Sequence, residues 1–175
     1  MSSIKIALTG FMCSGKTTVA RAVGQLLRCT VLDLDEAIVE SERRSAAEII
    51  ERDGEDAFRD TETRVLARLL SRDTASIISL GGGTWTKEEN RKLLADHGYV
   101  TVWLDVSFEV CWKRIKHDGK SRPLARSCGA AKQLYENRRS VYASAGFRIS
   151  IAAAETAEDI ASKITALVLR DVENS

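Results

Sequence analysis

The sequence predicts a three-layer α/β/α domain built on a five-stranded parallel sheet. Its 175 residues suit one α/β domain, and its hydrophobic fraction of 44% suits a globular core. Short apolar runs alternate five times with segments of helical periodicity. Strands that alternate with helices form parallel sheets, and right-handed crossovers place the helices on both faces. We find no internal repeat or interdomain linker, so residues 1–175 are predicted to form a single domain.

Each predicted strand is a short apolar run that is followed by turn or capping residues. The strands are 4–9, 29–35, 75–80, 99–105 and 147–152. The helices are 18–27, two within 36–53, then 55–70, 87–95, 108–115, 130–142, and a last one through 160–167. Ser45 followed by Glu48 is a capping box, which divides 36–53 into two helices, and Thr156 with Asp159 is an N-cap signal for the last helix.

A phosphate-binding loop follows the first predicted strand. Residues 10–17 read G-x-x-x-x-G-K-S/T, between an apolar run and a helical segment. That context allows backbone N–H groups and the helix N-terminus to converge on phosphate oxygens. Lys16 would reach the terminal phosphates and the Thr17 hydroxyl would bind Mg²⁺.

Composition argues against several classes of partner. The net charge is +1, which indicates neither a nucleic-acid footprint nor a membrane-surface patch. No apolar run is long enough to span a bilayer, and the N-terminus lacks the form of a signal peptide. We therefore expect a cytoplasmic monomer with reduced thiols. The four cysteines and two histidines lack zinc-site spacing.

Cys13 lies within the phosphate-binding loop and has two interpretations. Lys16 and a helix N-terminus would favour a lowered thiol pKa. The interpretation that we favour is a small residue tolerated in a tight loop.

Two carboxylates end the second predicted strand, at Asp33 and Asp35. In open parallel sheets the carboxyl ends of the strands line the ligand crevice, which would place both near the phosphates. One would help to hold Mg²⁺ and the other would act on a phosphoryl-acceptor hydroxyl. The alternative is a strand-end turn with an N-cap for a helix starting near Glu36.

Three other positions have a structural and a functional interpretation. Arg59 and Glu62 are spaced as a helix-surface pair, so spacing alone makes Arg59 structural. The triplet 81–83 is three glycines at a strand end, which indicates a nest of N–H groups more than a plain turn. Asp105 competes with Asp33 as a Mg²⁺-side carboxylate, but we favour Asp105 and Ser107 as helix caps.

The least regular stretch is basic and holds the only proline. Residues 116–129 are glycine-flanked and carry Arg122 and Arg126. In a phosphoryl-transfer enzyme such a loop is a closing lid that brings arginine to the developing charge. The alternative is a solvated loop.

Together these motifs resemble the shikimate kinase family, a group of nucleoside-monophosphate-kinase-like P-loop enzymes. The resemblance covers nearly the whole chain, in order. It comprises the phosphate-binding loop 10–18, D-x-D at 33–35, G-E-x-x-F-R-x-x-E at 54–62, G-G-G at 81–83, Asn90-Arg91, R-P-L at 122–124 and R-x-x-x-Y at 138–142. The resemblance implies a P-loop kinase fold with a substrate-binding arm at about 36–62 and a lid at about 116–129.

The resemblance also implies an activity: ATP-dependent, Mg²⁺-assisted phosphorylation of the shikimate 3-hydroxyl, in aromatic amino-acid biosynthesis. Its implied acceptor-site residues are Asp35 as base, Arg59 and Arg138 on the carboxylate, and Gly81, Gly82 and Gly83. Its implied ATP-site residues are Cys13, Ser14, Gly15, Lys16, Thr17 and Thr18, with Arg114 at adenine and Arg122 at the transferring phosphoryl group. Thr17 and Asp33 would hold the metal.

The sequence departs from the family pattern at three places. Cys13 replaces a glycine or alanine, the lid reads R-P-L-A rather than R-P-L-L, and Arg43-Arg44-Ser45-Ala46 lacks the usual glycine. A kinase for gluconate or a nucleoside monophosphate is the nearest alternative. A GTPase-type switch would need D-x-x-G and N-K-x-D, and the sequence contains neither.

Overall fold

A five-stranded parallel sheet forms the middle layer of the computed structural model, which describes residues 4–119, 122–152 and 154–173. The strands lie in the order β2-β3-β1-β4-β5, and every neighbouring pair is parallel. They are β1 (Ile6–Thr9), β2 (Val31–Asp33), β3 (Ile77–Ser79), β4 (Val100–Asp105) and β5 (Phe147–Ser150). The predicted five-stranded parallel sheet is confirmed.

In the described residues, eight α-helices connect and cover the strands. They are α1 (Lys16–Leu27), α2 (Leu34–Glu42), α3 (Ala46–Asp53), α4 (Glu55–Arg72), α5 (Glu88–Asp96), α6 (Phe108–His117), α7 (Cys128–Tyr142) and α8 (Ala157–Glu173). Short 3₁₀ turns lie at Thr84–Thr86 and Pro123–Ala125. Within the described ranges, no helix combines the length and apolarity that a bilayer crossing requires.

Alternating strand residues build a hydrophobic core on each face of the sheet. Ile6 and Leu8 of β1 belong to the core that α1 and α8 cover. Ala7, between them in sequence, belongs to the opposite core, which α4 and α7 help to close. Because side chains alternate along a strand, one short apolar run supplies both cores. The three-layer prediction is confirmed.

The predicted caps of α3 and α8 are present. Ser45 and Glu48 form the predicted capping box at the start of α3, so the predicted break between two helices is confirmed. Thr156 and Asp159 exchange the equivalent hydrogen bonds before α8.

The expected capping role of Asp105 is wrong. The Ser107 hydroxyl alone caps α6, by accepting from the Val110 N–H. Asp105 instead accepts from Arg148 Nε at 2.8 Å and lies 3.5 Å from Arg139. Parallel pairing puts Trp103 opposite Arg148, whose guanidinium lies 5.0 Å from the indole centroid. This register makes Arg148 of β5 the diagonal neighbour of Asp105 on β4. The carboxylate of Asp105 is therefore engaged in an ion pair with Arg148.

The irregular segment is shorter in the structure than the predicted range 116–129. Helix α6 continues to His117 and α7 begins at Cys128, with Ser127 as its N-cap. Lys120 and Ser121 lie outside the described residues. The segment between the two helices is thus shorter than the basic stretch of the sequence.

The order of the strands fixes where a ligand site forms. Strand β1 lies between β3 and β4, so the chain leaves it at the point where the sheet order reverses. Ligands of open α/β sheets bind at such a switch point, outside the carboxyl ends of the strands. The loop 10–15 that follows β1 lies there.

Candidate active site

A cavity of about 560 Å³ opens at the carboxyl ends of the strands. Its walls come from the phosphate-binding loop, the ends of β2 and β3, the helices α2 to α4, the segment around residue 122, and α7. The lining includes Met12, Cys13, Gly15, Lys16, Thr17, Thr18, Asp33, Asp35, Phe58, Arg59, Glu62, Gly82, Gly83, Arg122 and Arg138.

The glycines of the phosphate-binding loop are required by its backbone. Gly10 has φ +144°, and a Cβ built there would lie 2.8 Å from the Leu104 carbonyl oxygen. Gly15 has φ +95° and precedes α1 without any side-chain cap. The first N–H groups of α1 therefore lack side-chain partners at a positive dipole end, an arrangement suited to phosphate.

Lys16 is folded back onto its own loop. Its Nζ donates to the carbonyl oxygens of Gly10 at 3.0 Å and Phe11 at 2.8 Å. Lys16 is only 8% exposed. Burial lowers the pKa of its ammonium group, whereas the negative charge of Asp35 acts to raise it. The ammonium group is thus held inside the loop at the place where phosphates would bind.

Thr17 and Asp33 form the oxygen pair that the sequence predicted. The Thr17 hydroxyl donates to Asp33 Oδ2 at 2.6 Å. The other Asp33 oxygen accepts from the backbone N–H groups of Asp35 and Glu36, so Asp33 also caps α2. Asp33 is therefore a helix N-cap, as the alternative interpretation held, and its role at Mg²⁺ stays a prediction. In the described part of the chain, no three His, Cys, Asp or Glu side chains group as a metal site. One carboxylate with one hydroxyl fits Mg²⁺, which takes its other oxygens from phosphates and water.

Asp35 lies in the first turn of α2, not at the end of a strand. Strand β2 stops at Asp33 because Asp33 begins the helix as its N-cap, which corrects the predicted strand end. Asp35 lines the open cavity, where the surrounding protein displaces part of the water from its carboxylate and the negative charges of Asp33 and Glu62 lie nearby. Desolvation, and then those two charges, raise the pKa of Asp35 to about 6. A carboxylate with that pKa is suited to take a proton near neutral pH.

Arg59 is held by two carboxylates of its own helix. Its guanidinium forms an ion pair with Glu62, which is 1% exposed, and contacts Glu55 Oε1 at 3.0 Å. Burial alone would lower the pKa of Arg59, but the charges and hydrogen bonds of Glu62 and Glu55 raise it. Thr84 Oγ1 donates to the second Glu62 oxygen at 2.7 Å. The i, i+3 pair therefore exists, and it aims Arg59 into the cavity.

Arg138 has no such neutralising partner. It is 7% exposed, and its Nη1 donates to the Gly82 carbonyl at 3.2 Å. Among the described residues, no carboxylate lies within ion-pair distance of it. Burial, and further the positive charge of Arg59, lower the pKa of Arg138. A buried guanidinium that faces a cavity without a counter-ion favours an anionic ligand.

The glycine triplet is tightly packed. A Cβ on Gly83 would lie 2.3 Å from Arg59 Nη1, and one on Gly81 would lie 2.6 Å from Glu62 and 2.9 Å from Asp35. The triplet thus allows Arg59, Glu62 and Asp35 to approach the backbone closely. Gly82 and Gly83 line the cavity, whereas Gly81, also a predicted acceptor-site residue, does not.

Arg122 meets the phosphate-binding loop at Cys13. Its Nη2 lies 3.2 Å from the Cys13 sulfur, and its guanidinium forms an ion pair with Asp118. Burial raises the pKa of the Cys13 thiol, against the lowering effect of Arg122, so the reactive-thiol interpretation is not supported. Cys13 has φ +58°, a left-handed conformation that glycine adopts without strain. The backbone thus explains why a glycine suits this position.

Two other predicted ATP-site residues lie at the loop, Ser14 within it and Arg114 beside it. Arg114 Nη1 donates to the Cys13 carbonyl at 3.1 Å. The Ser14 side chain is buried, and its hydroxyl has no partner in the described structure. Neither residue lines the cavity.

Sequence reasoning missed the apolar wall of the cavity. Ala46, Ala47 and Ile50 of α3 line it together with Phe58 and Met12. The available signal was the spacing of small and apolar residues at the start of α3, directly after the capping box. These side chains give the cavity an apolar part in addition to its charged groups.

Comparison with known proteins identifies the family. The family model described as shikimate kinase matches residues 12–169. The shikimate kinase of Ruegeria pomeroyi is 41% identical over 143 residues, which cover 80% of this chain and 72% of that protein. The structure of a shikimate kinase from Acinetobacter baumannii in complex with shikimate has a TM-score of 0.89 and 34% identity, covering 97% of this chain and 95% of that one. The shikimate kinase structure from Aquifex aeolicus has a TM-score of 0.81 and 30% identity, covering 98% and 100% of the two chains. These matches confirm the P-loop kinase fold, and the chain belongs to the shikimate kinase family.

Proposed function

We propose that this chain phosphorylates the 3-hydroxyl of shikimate with ATP, as one domain with an arm at about 36–62 and a lid at about 116–129. The observation that carries the proposal is Arg138, a buried guanidinium that lines the cavity without a carboxylate partner among the described residues. A carboxylate-bearing acceptor would complete its charge. Family membership supports this choice of acceptor.

The donor half of the site is the phosphate-binding loop with α1. The N–H groups from Gly15 to Thr18 would hold the β- and γ-phosphates, and Lys16 would turn from its loop carbonyls toward them. Thr17 and Asp33 would hold Mg²⁺, which neutralises phosphate charge when it is bound. Arg114 beside the loop would stack on adenine.

The acceptor half is the opposite wall. Arg59 and Arg138 would bind the shikimate carboxylate, while Gly82 and Gly83 would contact the ring from their backbone. Two guanidiniums on one carboxylate fix orientation as well as affinity. Glu62 holds Arg59 in place through a buried ion pair.

Asp35 would act on the acceptor hydroxyl. It would orient the 3-hydroxyl and take its proton as the oxygen attacks the γ-phosphorus and ADP leaves. Its raised pKa, about 6, leaves it ionised yet a usable base above that pH. Arg122 and Lys16 would stabilise charge on the transferring phosphoryl group, and the lid would exclude water.

The test is an ADP-release assay with Mg-ATP and a panel of acceptors. We expect release to depend on shikimate, with little release without an acceptor or with gluconate or a nucleoside monophosphate. If gluconate or a monophosphate stimulates release and shikimate does not, the proposed acceptor is wrong.

A further inference from the structure

The last turn of α7 is bonded to the glycine triplet through one carbonyl. The Tyr142 hydroxyl donates to the Gly82 carbonyl oxygen, and Arg138 Nη1 donates to the same oxygen at 3.2 Å. Arg138 and Tyr142 are one helical turn apart, so both reach this oxygen from one face of α7. Only Arg138 of the two lines the cavity.

Tyr142 is closely packed in the core next to that wall. It is 1% exposed, and its ring centroid lies 6.1 Å from that of Trp103. Beside it, Trp85 Nε1 donates to the Val141 carbonyl and to Ser144 Oγ, each at 3.2 Å. Trp85 belongs to the 3₁₀ turn that follows the triplet. The end of α7 and the triplet are therefore connected at two independent places.

We propose that Tyr142 is a positioning residue for the acceptor, an inference that rests on the proposed function. Its hydroxyl fixes the peptide that joins Gly82 to Gly83. Because a peptide is planar and trans, fixing the carbonyl also fixes the direction of the Gly83 N–H on its opposite side. Both glycines line the cavity. Tyr142 thus sets the wall against which Arg138 and the backbone groups meet the acceptor.

The phenol is suited to this role because it stays neutral. Burial raises the pKa of Tyr142 to about 12, so its hydroxyl remains a donor throughout the working pH range. Without the Tyr142 hydroxyl, the Gly82 carbonyl would depend on the 3.2 Å hydrogen bond from Arg138. The Arg138 guanidinium would then be less available to a ligand.

The test compares Tyr142→Phe with Tyr99→Phe. Tyr99 is also a buried tyrosine whose hydroxyl donates to a backbone carbonyl, that of Ala75 at 2.6 Å, but it lies at the amino end of β4, away from the cavity. The loss of one neutral hydrogen bond predicts a rise in the KM for shikimate of roughly fivefold to tenfold in Tyr142→Phe. The KM for ATP and kcat should change by less than about threefold, and Tyr99→Phe should keep the wild-type KM.

Two results would overturn the proposal. One is an unchanged KM for shikimate in folded Tyr142→Phe. The other is a parallel loss of kcat and both KM values that follows the fall in Tm in both variants, because that pattern indicates a structural role alone. Wild-type protein tests the proposed function separately, through the choice of acceptor. If the wild-type protein uses another acceptor, an unchanged KM for that acceptor in Tyr142→Phe overturns the role of Tyr142. Turnover that depends on no acceptor would contradict both.

Discussion

The Thr17 hydroxyl donates a 2.6 Å hydrogen bond to Asp33, which joins the first turn of α1 to the end of β2. This contact brings the phosphate-binding loop and the D-x-D segment together, although 16 positions separate the two residues. It also places both oxygen donors on the cavity wall. The pair therefore links nucleotide binding to the helix that carries Asp35.

Thr17→Val should uncouple nucleotide binding from Mg²⁺. The substitution keeps the shape of the side chain but removes the hydroxyl, so affinity for ATP in EDTA should be near wild type. The gain in affinity that Mg²⁺ gives should be lost, and turnover should fall at least about tenfold. Titration calorimetry with and without Mg²⁺ measures this. Thr165→Val is the control, because Thr165 is a buried threonine that lies on α8 outside the cavity. A wild-type response to Mg²⁺ in Thr17→Val would contradict the assignment.

Arg59→Ala should lower both stability and acceptor affinity. The change leaves the buried Glu62 without its cation, and breaking a buried ion pair costs about 3 kcal/mol. Urea denaturation should show that loss in the free energy of unfolding. If Arg59→Ala is as stable as wild type, Glu62 does not depend on this arginine.

Arg138→Ala should separate affinity from stability. Arg138 has no carboxylate partner among the described residues, so its removal leaves no buried anion alone. The KM for shikimate should rise about 100-fold, as expected for a lost charge-assisted contact, with the free energy of unfolding within about 1 kcal/mol of wild type. An unchanged KM would remove Arg138 from the acceptor site.

The two arginines also show how far sequence reasoning reached. Strand and helix periodicity was sufficient for the five parallel strands, and short motifs were sufficient for the capping box and the phosphate-binding loop. Spacing alone gave Arg59 a surface role, because the burial of Glu62 depends on Thr84 and the triplet, which are distant in sequence. Tyr142 entered the sequence analysis only as part of the motif at 138–142, because its hydrogen bond to the Gly82 carbonyl joins residues 60 positions apart. The apolar wall from α3 was missed although the spacing of small and apolar residues at the start of that helix was available.

Protonation of Asp35 should lower kcat/KM at acid pH. Since its pKa is about 6, kcat/KM for shikimate should fall about tenfold for each pH unit below that value, as the base becomes protonated. A pH profile measures this. Asp35→Asn should abolish turnover at every pH while ATP still binds. A rate that stays flat to about pH 5 would contradict the role of Asp35 as base.

Asp35→Asn should also change the pH dependence of stability. The pKa of Asp35 is raised from its ordinary 3.8 to about 6 in the folded state. The folded protein therefore binds the proton more tightly, and stability falls as pH rises between those values. Asp35→Asn should be more stable than wild type at about pH 8, by no more than about 1 kcal/mol because solvent screens this exposed site. The difference should vanish below about pH 4, and thermal melts at both pH values test this.

Substitutions of Cys13 should rank by their tolerance of positive φ. Cys13 has φ +58°, so Cys13→Gly should keep activity within about threefold. Cys13→Val places a β-branched side chain in the left-handed region and should lose about 1–2 kcal/mol of stability. Urea denaturation of the two variants gives the comparison. Equal stability would show that the loop relaxes out of this conformation.

The central claim is that shikimate is the acceptor and that its 3-hydroxyl receives the phosphoryl group. Phosphorus NMR of wild-type protein incubated with Mg-ATP and shikimate tests it most directly. We expect a new monoester resonance coupled to the proton on C3, rising in step with ADP and absent from Asp35→Asn. Two results would contradict the account. One is ADP that accumulates with inorganic phosphate and without a phosphate ester of shikimate, and the other is a phosphate on another hydroxyl.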